Sequence, residues 1–263
     1  MGTQPTQERI LVGSPSRYGS SMAENLERTV TALEALIAEA GGVDRLITPR
    51  GWPHLGLVVL DAVFSLQADY DTVVQPLLER YCDAAPDITW ATASMPPPPE
   101  HDARRLLEFL EPMTLDQRCQ LLTSQVGPGT AKGGQAGYRK AQMVVDVARI
   151  LVDTGAATRA TFVAAVASDT GLEWKVRRVP GVGFACWKYM LNLSGLEASK
   201  PDTMVLRWLC ETTGAEQTQQ AGASLIEQAT AVLQRGGAPV TVRQMDHLVW
   251  RKVTGRPLGT DPR

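Results

Sequence analysis

Several features are scarce in this 263-residue chain, and each scarcity removes a class of protein. No apolar run approaches the roughly 20 residues of a membrane span, and the opening MGTQPTQERI lacks the apolar core of a secretory signal. The expectation is a cytoplasmic protein with no membrane partner. The four cysteines, Cys82, Cys119, Cys186 and Cys210, are so scattered that no pair has zinc-finger spacing. They are expected to act as small buried apolar side chains. His54, His101 and His247 have no second His or Cys at ligand spacing and are read as structural. No metal and no cofactor are therefore expected. The net charge of -2 argues against a protein that coats nucleic acid indiscriminately. No stretch suggests a strand of any length or a repeat, which leaves an all-α fold.

What is present is enough for a sizeable core: 44% of residues are hydrophobic. Residues 1–19 carry Gly, Pro and Ser without periodicity and read as a flexible arm. Ser21 with Glu24 then opens a helix whose stripe is Met22, Leu26, Val30, Leu33 and Ile37, and Gly41-Gly42 closes it. From Leu55 to Tyr81 an apolar helix is followed by a second in which Pro76 marks either a kink or the first turn. Asp61 and Asp69 are acids near this pair. Asp69 or Asp71 is equally an N-cap. The Pro-rich 83–101 interrupts the helices; surface connection and polyproline ligand both fit it.

Thr114 with Gln117 and Thr241 with Gln244 are capping boxes. The run Gly127-Pro128-Gly129-Thr130-Ala131-Lys132-Gly133-Gly134 misses the phosphate-loop spacing and has no strand leading into it, so it reads as a loop. Ala136–Gly155 has helical apolar spacing, and helices are expected over 203–212, 217–234 and 242–252.

The stretch around which the rest is arranged is Val179–Arg207. Val179-Pro180-Gly181-Val182-Gly183 lies between two helical segments, where glycines permit positive φ and close approach to another molecule. Free amides beside a helix N-terminus suit a phosphate. From Glu173 to Arg207, Lys175, Arg177, Arg178, Lys188, Lys200 and Arg207 outnumber Glu173, Glu197 and Asp202. A solvated helix face and an anion-binding surface both fit such a run.

On these residues the chain resembles the helix-hairpin-helix DNA glycosylases, the superfamily of endonuclease III, the adenine glycosylase MutY and the 8-oxoguanine glycosylases. Their L-P-G-V-G hairpin is similar to 179–183, and their essential Asp, near V-D-T-H, corresponds to Asp202. Leu66-Gln67 resembles the end of their L-Q-Q-T helix and Glu79-Arg80-Tyr81 their E-R-F. Lys140 resembles the Lys of the G-x-x-x-x-K-A helix that precedes the hairpin. The matches stand in family order over roughly 55–207.

The resemblance implies a two-lobed helical fold with a cleft between the lobes. Its hairpin-bearing lobe would be 102–200, the second lobe 20–101 plus 201–263, and the protein a monomer acting on double-stranded DNA. Asp202 would be catalytic, or no more than the N-cap of its helix. Gln67 would be the plug that enters the duplex, with Asp61, Asp69, Trp187 and Lys200 lining the base pocket, although Trp187 and Tyr189 also fit a core. Val179, Gly181, Gly183, Lys188, Arg177 and Lys140 would contact DNA. Family members that also cut the strand carry a Lys where this chain has Ala185, so the implied enzyme is monofunctional and uses water. Val63 stands where the adenine glycosylases place a catalytic Glu, and the cysteines of the endonuclease III iron-sulfur cluster are missing. Such departures are compatible with a branch that excises glucosylated 5-hydroxymethylcytosine in anti-phage defence. Alkylated or oxidised bases, or a non-catalytic DNA-binding role, are the alternatives.

Overall fold

The structure is a computed structural model that describes residues 21–49, 51–85, 100–130 and 137–260. The expected arm at 1–19, most of the Pro-rich segment and residues 131–136 of the glycine-rich loop lie outside the described residues. Those described form helices and connecting turns, with two isolated β-bridges, Leu46 to Gly259 and Val126 to Arg139. The fold class is all-α. Among the described residues no helix is long and apolar enough to cross a membrane.

The chain runs through α1 (Met22–Glu39), α2 (Leu55–Phe64), α3 (Gln75–Ala84), α4 (Ala103–Leu110), α5 (Leu115–Leu121), α6 (Lys140–Asp153), α7 (Arg159–Ala167), α8 (Leu172–Val176), α9 (Phe184–Leu193), α10 (Thr203–Thr213), α11 (Gln219–Arg235) and α12 (Val242–Val253). Caps read from sequence are in place. Ser21 accepts from the Glu24 amide, and both capping boxes, Thr114 with Gln117 and Thr241 with Gln244, are reciprocal. Pro76 falls in the first turn of α3, directly after a π-turn over Tyr70–Val74.

α2 is the centre. All ten of its residues are buried, as an apolar segment with no polar stripe requires. α4, α6 and α9 enclose it, and Gly56 is obligatory in it, since a Cβ there would lie 2.8 Å from the His101 ring. This enclosure corrects the expected division of the chain. The side chains of 55–85 share one apolar cluster with 103–198, while α1 joins α10, α11 and α12 in a second. The sequence grouped 20–101 with the C-terminal part; residues 55–85 depart from that grouping because a helix apolar on all sides needs neighbours all round.

Candidate functional site

Within α2 the one charged residue is Asp61, which is 1% exposed. A buried carboxyl group must find donors, and here Trp52 Nε1 donates to Oδ2 at 2.8 Å and the Ser65 hydroxyl to Oδ1 at 2.8 Å. The hydroxyls of Tyr189 and Tyr70 also approach it. Burial raises the Asp61 pKa, and the hydrogen bonds from Trp52 and Ser65 offset part of that. Burial likewise raises the Tyr70 and Tyr189 hydroxyls.

Tyr189 links this carboxyl group to the segment after α9. The Lys200 ammonium sits 3.9 Å from the centre of the Tyr189 ring and 3.5 Å from Asp202 Oδ2. Asp202 is the N-cap of α10, its Oδ1 accepting from the amides of Met204 at 2.9 Å and Val205 at 3.1 Å. One oxygen therefore serves the helix and the other faces Lys200, with the side chain 23% exposed.

Three helices fasten the loop that carries this pair. Asn192 of α9 donates to the Ala198 carbonyl, and Glu227 of α11 accepts from the Ser199 amide. Asp246 of α12 accepts through one oxygen from both the Ser199 hydroxyl and the Lys200 amide, each at 2.7 Å. Burial pushes the Asp246 pKa up to about 7; Ser199 offsets part of the rise and the charge of Asp202 adds to it. The loop thus sets Asp202 by contacts from both apolar clusters.

The turn over 177–183 stands at the surface, with Pro180 and Gly183 exposed. Gly181 has φ +87°, and a Cβ there would meet Met143 Cε at 3.0 Å. Gly183 is the N-cap of α9 without a side-chain cap, and no atom lies within 4 Å of where its Cβ would be. The first amides of α9 thus have no side-chain cap, an arrangement that suits an anion. The next turns of the same helix face the cluster, because Cys186 feels the charge of Lys200 and Tyr189 lies under it.

Of the residues expected at a site, Asp61, Lys200 and Asp202 come together, and Gly181 and Gly183 are at the surface. Gln67 is exposed at φ +51°, in a turn pinned by Lys140. Other expectations need correction. Lys140 cannot reach DNA; it is 1% exposed, its ammonium donating to the carbonyls of Phe64 and Leu66 and to Gln125 Oε1, and burial lowers its pKa to about 8. Trp187 is not at a pocket, because it lies on the inner side of α9 with its ring edge-on to Phe162. Asp69 is a cap, accepting from the Thr72 amide and hydroxyl. Val179 is buried and its amide and carbonyl serve the turn itself. Lys188 is held by Glu227 at 2.8 Å, and Arg177 pairs with Glu173.

Sequence reasoning missed Trp52, Ser65, Tyr70, Ser199 and Asp246. The available signal was a lone acid in an apolar helix, which must have partners. Asp246 carried a similar signal, standing between buried Met245 and Leu248. Among the described residues no group of three or more His, Cys, Asp or Glu is placed to hold a metal ion.

Comparison with known proteins adds the family. The family model described as "Domain of unknown function (DUF8548)" matches residues 27–254, so the chain belongs to that family. No curated protein and no solved structure matches the chain.

Proposed function

We propose that this member of the DUF8548 family is a monofunctional DNA glycosylase of the helix-hairpin-helix type, which flips a modified base out of duplex DNA and hydrolyses its N-glycosidic bond. The observation that carries the reading is the placement of Asp202. Its carboxylate is fixed by α10 amides and faces Lys200, on a loop that follows the helix headed by the glycine turn.

Breaking the glycosidic bond builds positive charge on the sugar as the base departs. A preorganised carboxylate lowers that barrier by stabilising the cation and by orienting or deprotonating water. Asp202 Oδ2 takes this role. The α10 amides hold the carboxylate in position. Lys200, already 3.5 Å from it, neutralises charge gathering on the leaving base. Ala185, 8% exposed, offers no amine at the head of α9, so water and not a Schiff base completes the reaction. The amides around Gly183 hold a backbone phosphate, and Gln67 fills the gap left by the extruded base. The leading substrate is a hypermodified phage cytosine such as glucosylated 5-hydroxymethylcytosine, and alkylated or oxidised bases come second.

The test is incubation with a panel of DNAs, modified phage DNA included, followed by detection of abasic sites. Abasic sites formed by the wild type and not by Asp202→Asn are expected. Equal release by both proteins would remove Asp202 from the mechanism, and tight duplex binding without release on any substrate would favour a non-catalytic binding module.

A further inference from the structure

Not every cation between Glu173 and Arg207 is spent on an acid. Arg177 pairs with Glu173 and Lys188 with Glu227, but among the described residues Lys175 and Arg178 have no carboxylate partner. Both lie beside Trp174, which at 62% exposed is the one exposed aromatic side chain among the described residues. Arg178 Cζ sits 4.6 Å from the centre of its ring. These three side chains line a cleft of about 410 Å3 whose other wall is the end of α6, with Ile150, Asp153 and Thr154. We propose that this cleft binds an unpaired nucleic-acid strand, one base stacked on Trp174 and the neighbouring phosphates on Lys175 and Arg178. Such binding lies beyond the glycosylase reading and does not require it.

A lone exposed Trp or a lone exposed cation is an ordinary surface feature. Here they share one cleft, and the cleft has two kinds of surface. Lys175 and Arg178 are exposed and bring two positive charges against one negative charge from Asp153, whereas Ile150 and Thr154 are half-buried. An unpaired strand matches both, because its bases are flat and neutral while its linkage carries a negative charge at every nucleotide. The base takes the place beside Ile150 and the Trp174 ring, and the phosphates stay with the cations. An acidic peptide is the rival occupant; its carboxylates would satisfy the cations but leave the ring unused and approach Asp153. A paired duplex keeps its bases stacked on one another and out of reach of Trp174.

Such a site does not choose among bases. The Thr154 hydroxyl donates to the Ile150 carbonyl at 2.7 Å, so the polar group left on that wall to meet a base edge is the Asp153 carboxylate. Every base carries an N–H on its pairing edge, and a single acceptor is satisfied by any of them. Stacking is equally tolerant, since every base has a π-face. Arg178 stands five positions before Gly183, at most about 18 Å along the chain. A strand leaving the cleft can therefore continue toward the uncapped amides of α9.

Titrating labelled oligodeoxythymidine and oligouridine of about 12 nucleotides with the full chain, followed by fluorescence anisotropy, tests this assignment. Both should bind, and binding of one alone would uphold the cleft and identify the sugar it accepts. Trp174→Ala should weaken binding about 5- to 100-fold, and Trp174→Phe by much less, because a phenyl ring still stacks. Lys175→Ala combined with Arg178→Ala should make the slope of log affinity against log salt shallower by about 1.4, the share of two phosphate contacts on a single strand. All three side chains are exposed, so the variants should keep the melting temperature of the wild type. No strand binding by the wild type, an affinity unchanged in Trp174→Ala, or an equal loss of affinity for a duplex of the same length would overturn the proposal. Oligoglutamate binding as tightly as the strands and weakening equally in Trp174→Ala would also overturn it, in favour of an acidic protein partner. Base release is not read, so an absence of abasic sites on every duplex would count against the glycosylase reading alone.

Discussion

Two carboxyl groups on either side of Lys200 show how position decides what an aspartate does. Asp202 keeps one oxygen on helix amides and stays accessible, whereas Asp246 is 7% exposed and spends one oxygen on two donors. Asn caps a helix about as well as Asp. Asp202→Asn should therefore melt with the wild type while losing base release, and a large drop in melting temperature would mean that the residue is structural only. Asp246 calls for a pH experiment. Its folded pKa of about 7 lies above the ordinary 3.8, so between those values the folded protein retains a proton that the unfolded chain releases. Stability contributed by this group consequently falls as pH rises through that window. Asp246→Asn, which keeps an oxygen acceptor for Ser199 and Lys200, should gain melting temperature relative to wild type from about pH 4 to about pH 7. The gain should level off above, at on the order of 2–4 kcal/mol. A pH-independent difference would contradict the assignment of burial as the cause.

At the level of single elements, α9 and its preceding turn separate folding from binding. Gly181 sits at φ +87° against Met143, so Gly181→Ala should cost about 1–3 kcal/mol in thermal or denaturant melts. Gly183 has extended backbone and open space at its Cβ, so Gly183→Ala should cost about 1 kcal/mol or less, as a poorer N-cap. It should nevertheless weaken duplex binding, because the new methyl occupies the approach to the amides. Unchanged binding in Gly183→Ala would remove the turn from the DNA contact. These elements were legible in the sequence where local chemistry sets them: Ser21, Thr114, Asp202 and Thr241 each cap the helix they were expected to open. What escaped was set by tertiary contacts. α6 begins at Lys140 and not at 136, because Arg139 bridges to Val126 first. Lys140 was legible as a distinctive residue, but its use as a buried clamp on the end of α2 depends on Phe64 and Leu66, more than seventy positions away.

Across the whole molecule, the two apolar clusters meet along polar contacts, and the candidate site lies on that seam. The glycine turn at 181–183 and the capping role of Asp202 could be read from nearby residues alone. The grouping of 55–85 with 103–198, and the partners Trp52 and Asp246, could not, because each arises from packing between distant segments. Arg243 is one of the side chains that close the seam, donating to the Pro49 carbonyl at 2.8 Å and to Asn192 Oδ1 at 3.4 Å. Arg243→Ala should destabilise the fold by about 1–3 kcal/mol, visible as a lower denaturation midpoint. It should also slow any reaction at Asp202 by loosening Asn192, which holds the Ala198 carbonyl. The most direct test of the central claim is a single-turnover measurement of free base released from glucosylated phage DNA by wild type and by Asp202→Asn. The account predicts release by the wild type and none above background by a folded variant; identical rates for the two proteins would contradict it.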